Sequence, residues 1–313
     1  MQLLIGLFAI VAGIVAIIAI EILFDYGWIL AQRGWTHRED GHYRKALKDF
    51  ERALTFKPQY KWAWAGKALT ERLIGQYQTA VADFSRALER DPHCPWCLAN
   101  RAEAYRLMGQ YDAALADFNQ AIAIAPDYKW AIASRGQLHR LMGHLNEALL
   151  DLNLALQLDP SCPWCLANRG EVYRLLGNTN AALADFNQAI QQFPDYKWAI
   201  ANRGKTHQML EHYEEALHDF NRALALQPHC SWCLASRGEV YRLMGQYDQA
   251  LVDLDTAIAQ NAHCPRAFGN RGEIHRQLEH YEQALADFDQ ALALAPDNEW
   301  LLQHRALTQQ MRT

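Results

Sequence analysis

Three dithiols recur in the chain: Cys94-Pro95-Trp96-Cys97, Cys162-Pro163-Trp164-Cys165 and Cys230-Ser231-Trp232-Cys233. Two cysteines separated by two residues suit thiol–disulfide exchange, or half of a tetrahedral zinc site. Pro95 and Pro163 mark helix starts just after the first cysteine, where the helix dipole lowers a thiol pKa. Each copy lies 68 residues after the last, and halfway between copies the same two places hold Tyr60 and Ala63, Tyr128 and Ala131, or Tyr196 and Ala199. Cysteine that exchanges with such residues behaves as a small packed hydrophobe. Cys264, with Ala267 in the partner place, fits the same view. The packed reading is preferred; thiol redox chemistry and metal binding by the Cys-x-x-Cys pairs stand as the alternatives.

Other chemistry is sparse. The chain has no Gly-rich phosphate loop, no nucleophile elbow, no His-Glu-x-x-His run and no Cys-x-x-Cys-His. Of 13 histidines, His37, His139, His207 and His275 occupy the place that Tyr105, Tyr173 and Tyr241 hold elsewhere, which points to packing and not to ligation. No catalytic residue, metal or cofactor is therefore expected, and no enzyme. A net charge of −5 without a basic run argues against a nucleic-acid partner.

What must position these residues is a repeat. Trp28, Trp62, Trp96, Trp130, Trp164, Trp198, Trp232 and Trp300 fall on one 34-residue grid, with Arg266 in the single gap. The grid divides the chain into units 27–60, 61–94, 95–128, 129–162, 163–196, 197–230, 231–264 and 265–298, followed by 299–313. Unit position 8 is Gly or Ala, positions 20 and 27 are always Ala, position 24 is Phe or Leu, and position 32 is Pro except at Ala262. Small residues let two antiparallel helices approach closely, and the residue at 24 fills what remains. Glycine near position 15 suits the left-handed end of a first helix, and proline at 32 stops the second. Each pair leaves an apolar side uncovered, so the units must stack. At ~8–10 Å per packed step, dithiols two units apart lie roughly 20 Å from one another, too far to share a zinc ion.

In these positions the chain resembles the tetratricopeptide repeat (TPR) family over residues 27 to 313. The resemblance implies an all-α, right-handed solenoid of eight helix-turn-helix repeats (27–298) with a C-terminal capping helix (299–313). Basic residues at position 7, from Arg33 to Arg305, and Asp at position 23, from Asp49 to Asp287, suggest eight ion pairs between neighbouring repeats. In that register Asp49 meets Lys67, Asp253 meets Arg271, Asp287 meets Arg305, and Arg33 is left over.

The resemblance also implies a concave groove that holds a protein or peptide partner on first-helix positions 2, 5, 6, 9, 12 and 13. Position 2 supplies Trp96, Trp130, Trp164, Trp198 and Trp232; position 6 supplies Asn100, Asn168 and Asn202. Position 9 adds Glu103, Glu171 and Glu239, and position 12 adds Arg106, Arg140, Arg174 and Arg242. Ala at position 5 is expected to leave open space beside the indoles. Packing of each indole on the preceding repeat is the competing reading. Relatives that clamp a C-terminal carboxylate use Lys at position 5 and Asn at position 9. Ala and Glu-type residues stand there, so that specificity is not expected, and a small-molecule ligand is not either.

Residues 1–26 differ. From Leu3 to Ile20 no charge occurs, and counting on to Phe24 gives a span of about 33 Å as helix, enough for a hydrocarbon core of roughly 30 Å. Without basic residues before the span or a small-x-small site after it, an uncleaved single-pass membrane anchor over residues 3–24 is expected over a signal peptide. Arg33, Arg38, Arg44, Lys45 and Lys48 follow it, which places the repeat body in the cytoplasm. The whole reads, in a bacterial style, as a membrane-anchored scaffold or adaptor, of the kind that assembles membrane complexes.

Overall fold

A computed structural model describes residues 26–312, and among these every regular element is an α-helix. The expected anchor over residues 3–24 lies outside the described residues. No helix among the described residues is long and apolar enough to cross a membrane.

The chain divides into two units that meet at Leu158 and Asp159. The first holds α1 (26–39), α2 (Tyr43–Phe56), α3 (Lys61–Leu73), α4 (Tyr77–Arg90), α5 (Pro95–Leu107), α6 (Tyr111–Ile124), α7 (Lys129–Leu141) and α8 (Leu145–Leu158). The second holds α9 (Pro163–Leu175), α10 (Thr179–Gln192), α11 (Lys197–Met209), α12 (Tyr213–Leu226), α13 (Ser231–Leu243), α14 (Tyr247–Gln260), α15 (Pro265–Gln277), α16 (Tyr281–Leu294) and α17 (Glu299–Met311). These helices follow the 34-residue grid, with a first and a second helix per repeat.

Inside a repeat the small positions do what their size permits. The alanines at repeat positions 20 and 27, such as Ala46 and Ala53, are wholly buried, and so is every residue at position 24, for example Phe50, Phe118 and Leu254. Burying each large side chain contributes about 1.5–3 kcal/mol. A Cβ added at Gly34 would sit 2.9 Å from the Phe50 ring, and one at Gly238 2.9 Å from Leu254. Position 8 is small because the ring at 24 lies against its backbone.

First helices end in the left-handed region at position 15. Gly109 has φ +73°, its N–H donates to Arg106 O, and the Gln110 N–H donates to Tyr105 O at 2.9 Å. Such a closing pair satisfies the last carbonyls of the helix. Two repeats lack the glycine, and there Glu211 (φ 59°) and Glu279 (φ 61°) take the same conformation. A side chain with a Cβ pays about 1–2 kcal/mol for that backbone, partly returned by a stiffer unfolded chain. Glu211→Gly and Glu279→Gly are each expected to stabilise the protein by about 1 kcal/mol. Urea unfolding followed by circular dichroism checks this, and a lowered midpoint would show that the glutamate side chains hold the turn by other means.

Neighbouring first helices touch one another within each unit, as α3 does α5 and α11 does α13, whereas successive second helices do not. The face built from first helices is therefore the inner, concave side of each stack.

The ion pairs form in a different register from the one expected. Asp49 pairs with Arg33, Asp83 with Lys67, Asp219 with Arg203, Asp253 with Arg237 and Asp287 with Arg271, at 2.5–2.9 Å and all within one repeat. The link to the neighbour runs instead to position 25. Arg101 donates to Ser85 (3.0 Å), Arg203 to Asn187 (2.7 Å), Arg237 to Asn221 (2.6 Å) and Arg271 to Asp255 (2.6 Å). Arg305, whose repeat has no second helix among the described residues, keeps only this backward bond, to Asp289 rather than Asp287. Two residues rotate a helix by about 200°. Position 23 thus faces its own first helix while position 25 faces the next repeat.

Candidate inner-face binding site

The inner face is assembled from α1, α3, α5 and α7 in the first unit and from α9, α11, α13, α15 and α17 in the second. Trp96, Asn100, Glu103 and Arg106 lie on α5, and Trp130 and Arg140 on α7. Trp164, Asn168, Glu171 and Arg174 lie on α9, Trp198 and Asn202 on α11, and Trp232, Glu239 and Arg242 on α13.

The indoles divide between packing and display. Trp96 is partly buried, with its ring 6.1 Å from Phe84. Trp62, Trp130, Trp232 and Trp300 keep 37–39% of their surface exposed. Position 5 departs from expectation, because its alanines, Ala65 and Ala99 among them, are buried at the contact between first helices. Gly269, the eighth residue of this set, leaves no gap either: a Cβ there would lie 2.7 Å from Leu301 and 3.2 Å from Trp300.

Position 6 also belongs to the scaffold rather than to a ligand. Asn100, Asn168 and Asn202 are 1–5% exposed, and each donates its amide to the carbonyl of the tryptophan four residues earlier, at 2.8–2.9 Å. Residues four apart face one another along a helix, so the short amide is captured by its own turn. Acid at position 9 and arginine at position 12 pair in the same way. Arg106 grips Glu103 through two bonds of 2.7 Å, Arg174 grips Glu171 at 2.7–2.8 Å, and Arg276 grips Glu273 at 2.5–2.9 Å.

Two clefts open on the inner face, and they bring predicted groove residues (Trp96, Glu239 and Arg242) together with residues that were not predicted. In the first unit Trp35, Trp62 and Trp96 line a cleft of about 790 Å³ with Tyr60, Arg38 and Glu39. The Trp35 and Trp62 rings lie 6.0 and 6.1 Å from that of Trp96, and the Arg38 guanidinium lies 4.9 Å from the Trp35 ring. Trp35 is off the grid, at position 9, and that departure was the available signal. In the second unit Lys205, Glu239, Arg242 and Arg266 line a cleft of about 410 Å³ closed by Trp300 and Leu301 of α17.

The dithiols are part of the first-helix starts. The sulfurs of Cys94 and Cys97, of Cys162 and Cys165, and of Cys230 and Cys233 lie side by side, with Cα atoms 5.2–5.3 Å apart. The first sulfur of each pair caps its helix by accepting the N–H of the second cysteine at 3.2 Å. Cys94 is 4% exposed and Cys97 is wholly buried, packed with Leu98 and Phe118. The second cysteines, Cys97, Cys165 and Cys233, are 0–4% exposed, which favours the packed reading for that place, while Cys162 and Cys230 at the first place are partly exposed. The phenols of Tyr128 and Tyr196, which stand in the first-cysteine place of other repeats, are pushed up to about 12 by burial. The pairs on α9 and α13 have α11 between them, which rules out a shared four-cysteine zinc site.

Burial pushes the His139, His207 and His275 imidazoles down, toward the neutral form. Each packs on a second histidine at the following turn, with ring centroids 5.9–6.1 Å apart. Among the described residues one group could approach a metal, His37, Asp40 and His42, with ligand atoms within 4.8 Å of one another.

Three sequence models, each described as a tetratricopeptide repeat, match residues 31–93, 161–229, and 95–128 with 265–298, together more than half of the chain. None of the curated proteins compared with the chain matches it. Among solved structures the chain is similar to one from the APC/C hetero-tetramer Cut9-Hcn1, with a TM-score of 0.72 and 14% identity, over 85% of this chain and 52% of that one. It spans about half the length of that relative. It is also similar to a tetratricopeptide repeat protein from Parabacteroides merdae, with a TM-score of 0.65 and 22% identity, over 80% of this chain and 99% of that one. At these identities the likeness is one of fold. With its 34-residue grid, its stacked helix pairs and these matching sequence models, the chain belongs to the tetratricopeptide repeat family.

Proposed function

We propose that the protein is a non-enzymatic scaffold that holds a protein partner on its inner face and is tethered to a membrane by residues 3–24. The repeat body stands on the cytoplasmic side and presents the partner near the bilayer, in the manner of an assembly factor for a membrane complex. The observation that carries the binding part is the cleft between α1, α3 and α5, where three indoles and Arg38 surround about 790 Å³ of open space. Tryptophan and arginine are enriched among the few residues that carry most of the binding energy at protein interfaces. Trp62 is 39% exposed although its helix is packed on both sides, so its ring is available to a partner. Anchoring rests on the uncharged run from Leu3 to Ile20.

The test places a photo-crosslinking residue at Trp62 in the intact chain, within the cell that makes it. Leu150, 71% exposed on the outer helix α8, serves as the control. A discrete protein adduct is expected from position 62 and not from position 150, in material that stays with membranes through carbonate extraction. Equal labelling at both positions would sink the groove reading, and release by carbonate would sink the anchor.

A further inference from the structure

Three departures from the 34-residue pattern, spread from residue 205 to residue 266, meet in the cleft of the second unit. Position 9 is acidic in Glu103, Glu171, Glu239 and Glu273, but it is Lys205 on α11. Position 12 is arginine in seven repeats, but it is Gln208 in that same helix. Position 2 carries tryptophan throughout, except for Arg266 on α15.

These changes rewire the charges. Where other repeats hold a closed acid–arginine pair, Lys205 donates to Gln208 at 2.8 Å and reaches across to Glu239 of the next repeat at 3.1 Å. Glu239 is thereby drawn from the arginine of its own helix, and Arg242 donates instead to the neutral Asn270 at 2.9 Å. Arg266 donates only to the Ser236 hydroxyl, at 3.3 Å. Among the described residues, neither Arg242 nor Arg266 has a carboxylate within ion-pair distance, unlike Arg106, Arg174 and Arg276. Three cations and one carboxylate therefore face a cleft of about 410 Å³, an excess of two positive charges. Burial pushes the Lys205 amine down, and repulsion from Arg266 and Arg174 works in the same direction against the pull of Glu239. The cleft falls within the ~300–1,000 Å³ typical of binding sites.

We propose that this cleft docks an acidic stretch of the partner protein, with two Asp or Glu side chains of an extended segment accepting from Arg242, Arg266 and Lys205. The proposal rests on the inner-face reading above and deepens it by naming the partner's chemistry. The charge excess calls for two carboxylates, and a planar guanidinium that has no acid partner can take one of them through two parallel bonds. A single terminal carboxylate would neutralise only half of the excess, so the occupant is an internal acidic segment and not a chain end.

Fluorescence anisotropy on the full-length protein in detergent tests this with three labelled peptides on a Gly-Ser background. The first carries an internal Asp-Glu pair and an amidated C-terminus, the second Asn-Gln in its place, and the third no acidic side chain but a free C-terminal carboxylate. The first is expected to bind at least tenfold more tightly than the other two, and to weaken as salt screens the contact. Arg266→Trp, which restores the repeat pattern, and Arg266→Gln should each lower that affinity by tenfold or more while the thermal melting curve stays in place. Equal binding of the acidic and amide peptides overturns the proposal, as does preference for the free terminus, or binding that survives both Arg266 variants. Crosslinking at Trp62 reads a cleft in the other unit. An adduct there together with an inert second cleft overturns this proposal alone.

Discussion

Phe220→Ala is expected to cost about 3–5 kcal/mol of folding stability, the largest effect of any single truncation proposed for this chain. Phe220 is wholly buried on α12 and packs with Ala216, Leu217 and Val240, while its ring lies 6.2 Å from that of Trp232 in the next repeat. It therefore seals both its own hairpin and the junction that follows. Removing the ring leaves a cavity into which close-packed helices relax only partially. Phe220→Leu supplies the control, because the chain itself places Leu152 and Leu254 at the same repeat position with no exposed surface. That swap should cost under about 1.5 kcal/mol. Urea unfolding of both variants, followed by circular dichroism, reads the difference. A leucine variant as damaged as the alanine variant would show that position 24 needs a ring here rather than volume. Stacked repeats unfold in pieces, so the loss should concentrate in a subset of the transition instead of shifting it uniformly.

The second large effect is expected at the ion pair inside the same repeat. Asp219 is 1% exposed and accepts two bonds from Arg203 at 2.6 and 2.8 Å, and Arg203 also donates to Asn187 of the preceding repeat. Arg203→Met leaves that carboxylate buried without its cation and should cost about 3 kcal/mol, because desolvation of the acid is no longer offset. Arg203→Met combined with Asp219→Leu removes both charges and should recover most of the loss, since an apolar pair of similar volume is often no worse than the ion pair. A double-mutant cycle on thermal or urea unfolding separates the two contributions. If the double variant is as unstable as Arg203→Met alone, the pair acts through packing of the aliphatic stem, and the charge argument fails.

Much of the scaffold could be read in the chain before any coordinates. The 34-residue grid, the buried alanines, the ring at position 24 and the glycine at position 15 all act within a hairpin. There, sequence distance fixes which residues meet. Gly109 closes its helix and Phe118 fills its hairpin as the pattern requires. The dithiols were legible for the same reason: Cys97 alternates with Ala63 and Ala131 because the place is packed, and all three are buried.

What only the tertiary structure decided lies between repeats, where the rotation of one helix against the next enters and sequence spacing says nothing of it. A difference of two residues on a second helix, Asp287 against Asp289, turns the side chain by about 200° and decides whether it meets its own first helix or the neighbour's. Stacking also buries Asn168 and Asn202, which the family resemblance had assigned to the binding surface. It also brings Lys205, Arg242 and Arg266 from three helices to one cleft. Helical periodicity fixes which face a residue occupies, but the charge that a cleft carries depends on which neighbours compete for each side chain, and that competition exists only once the helices are stacked.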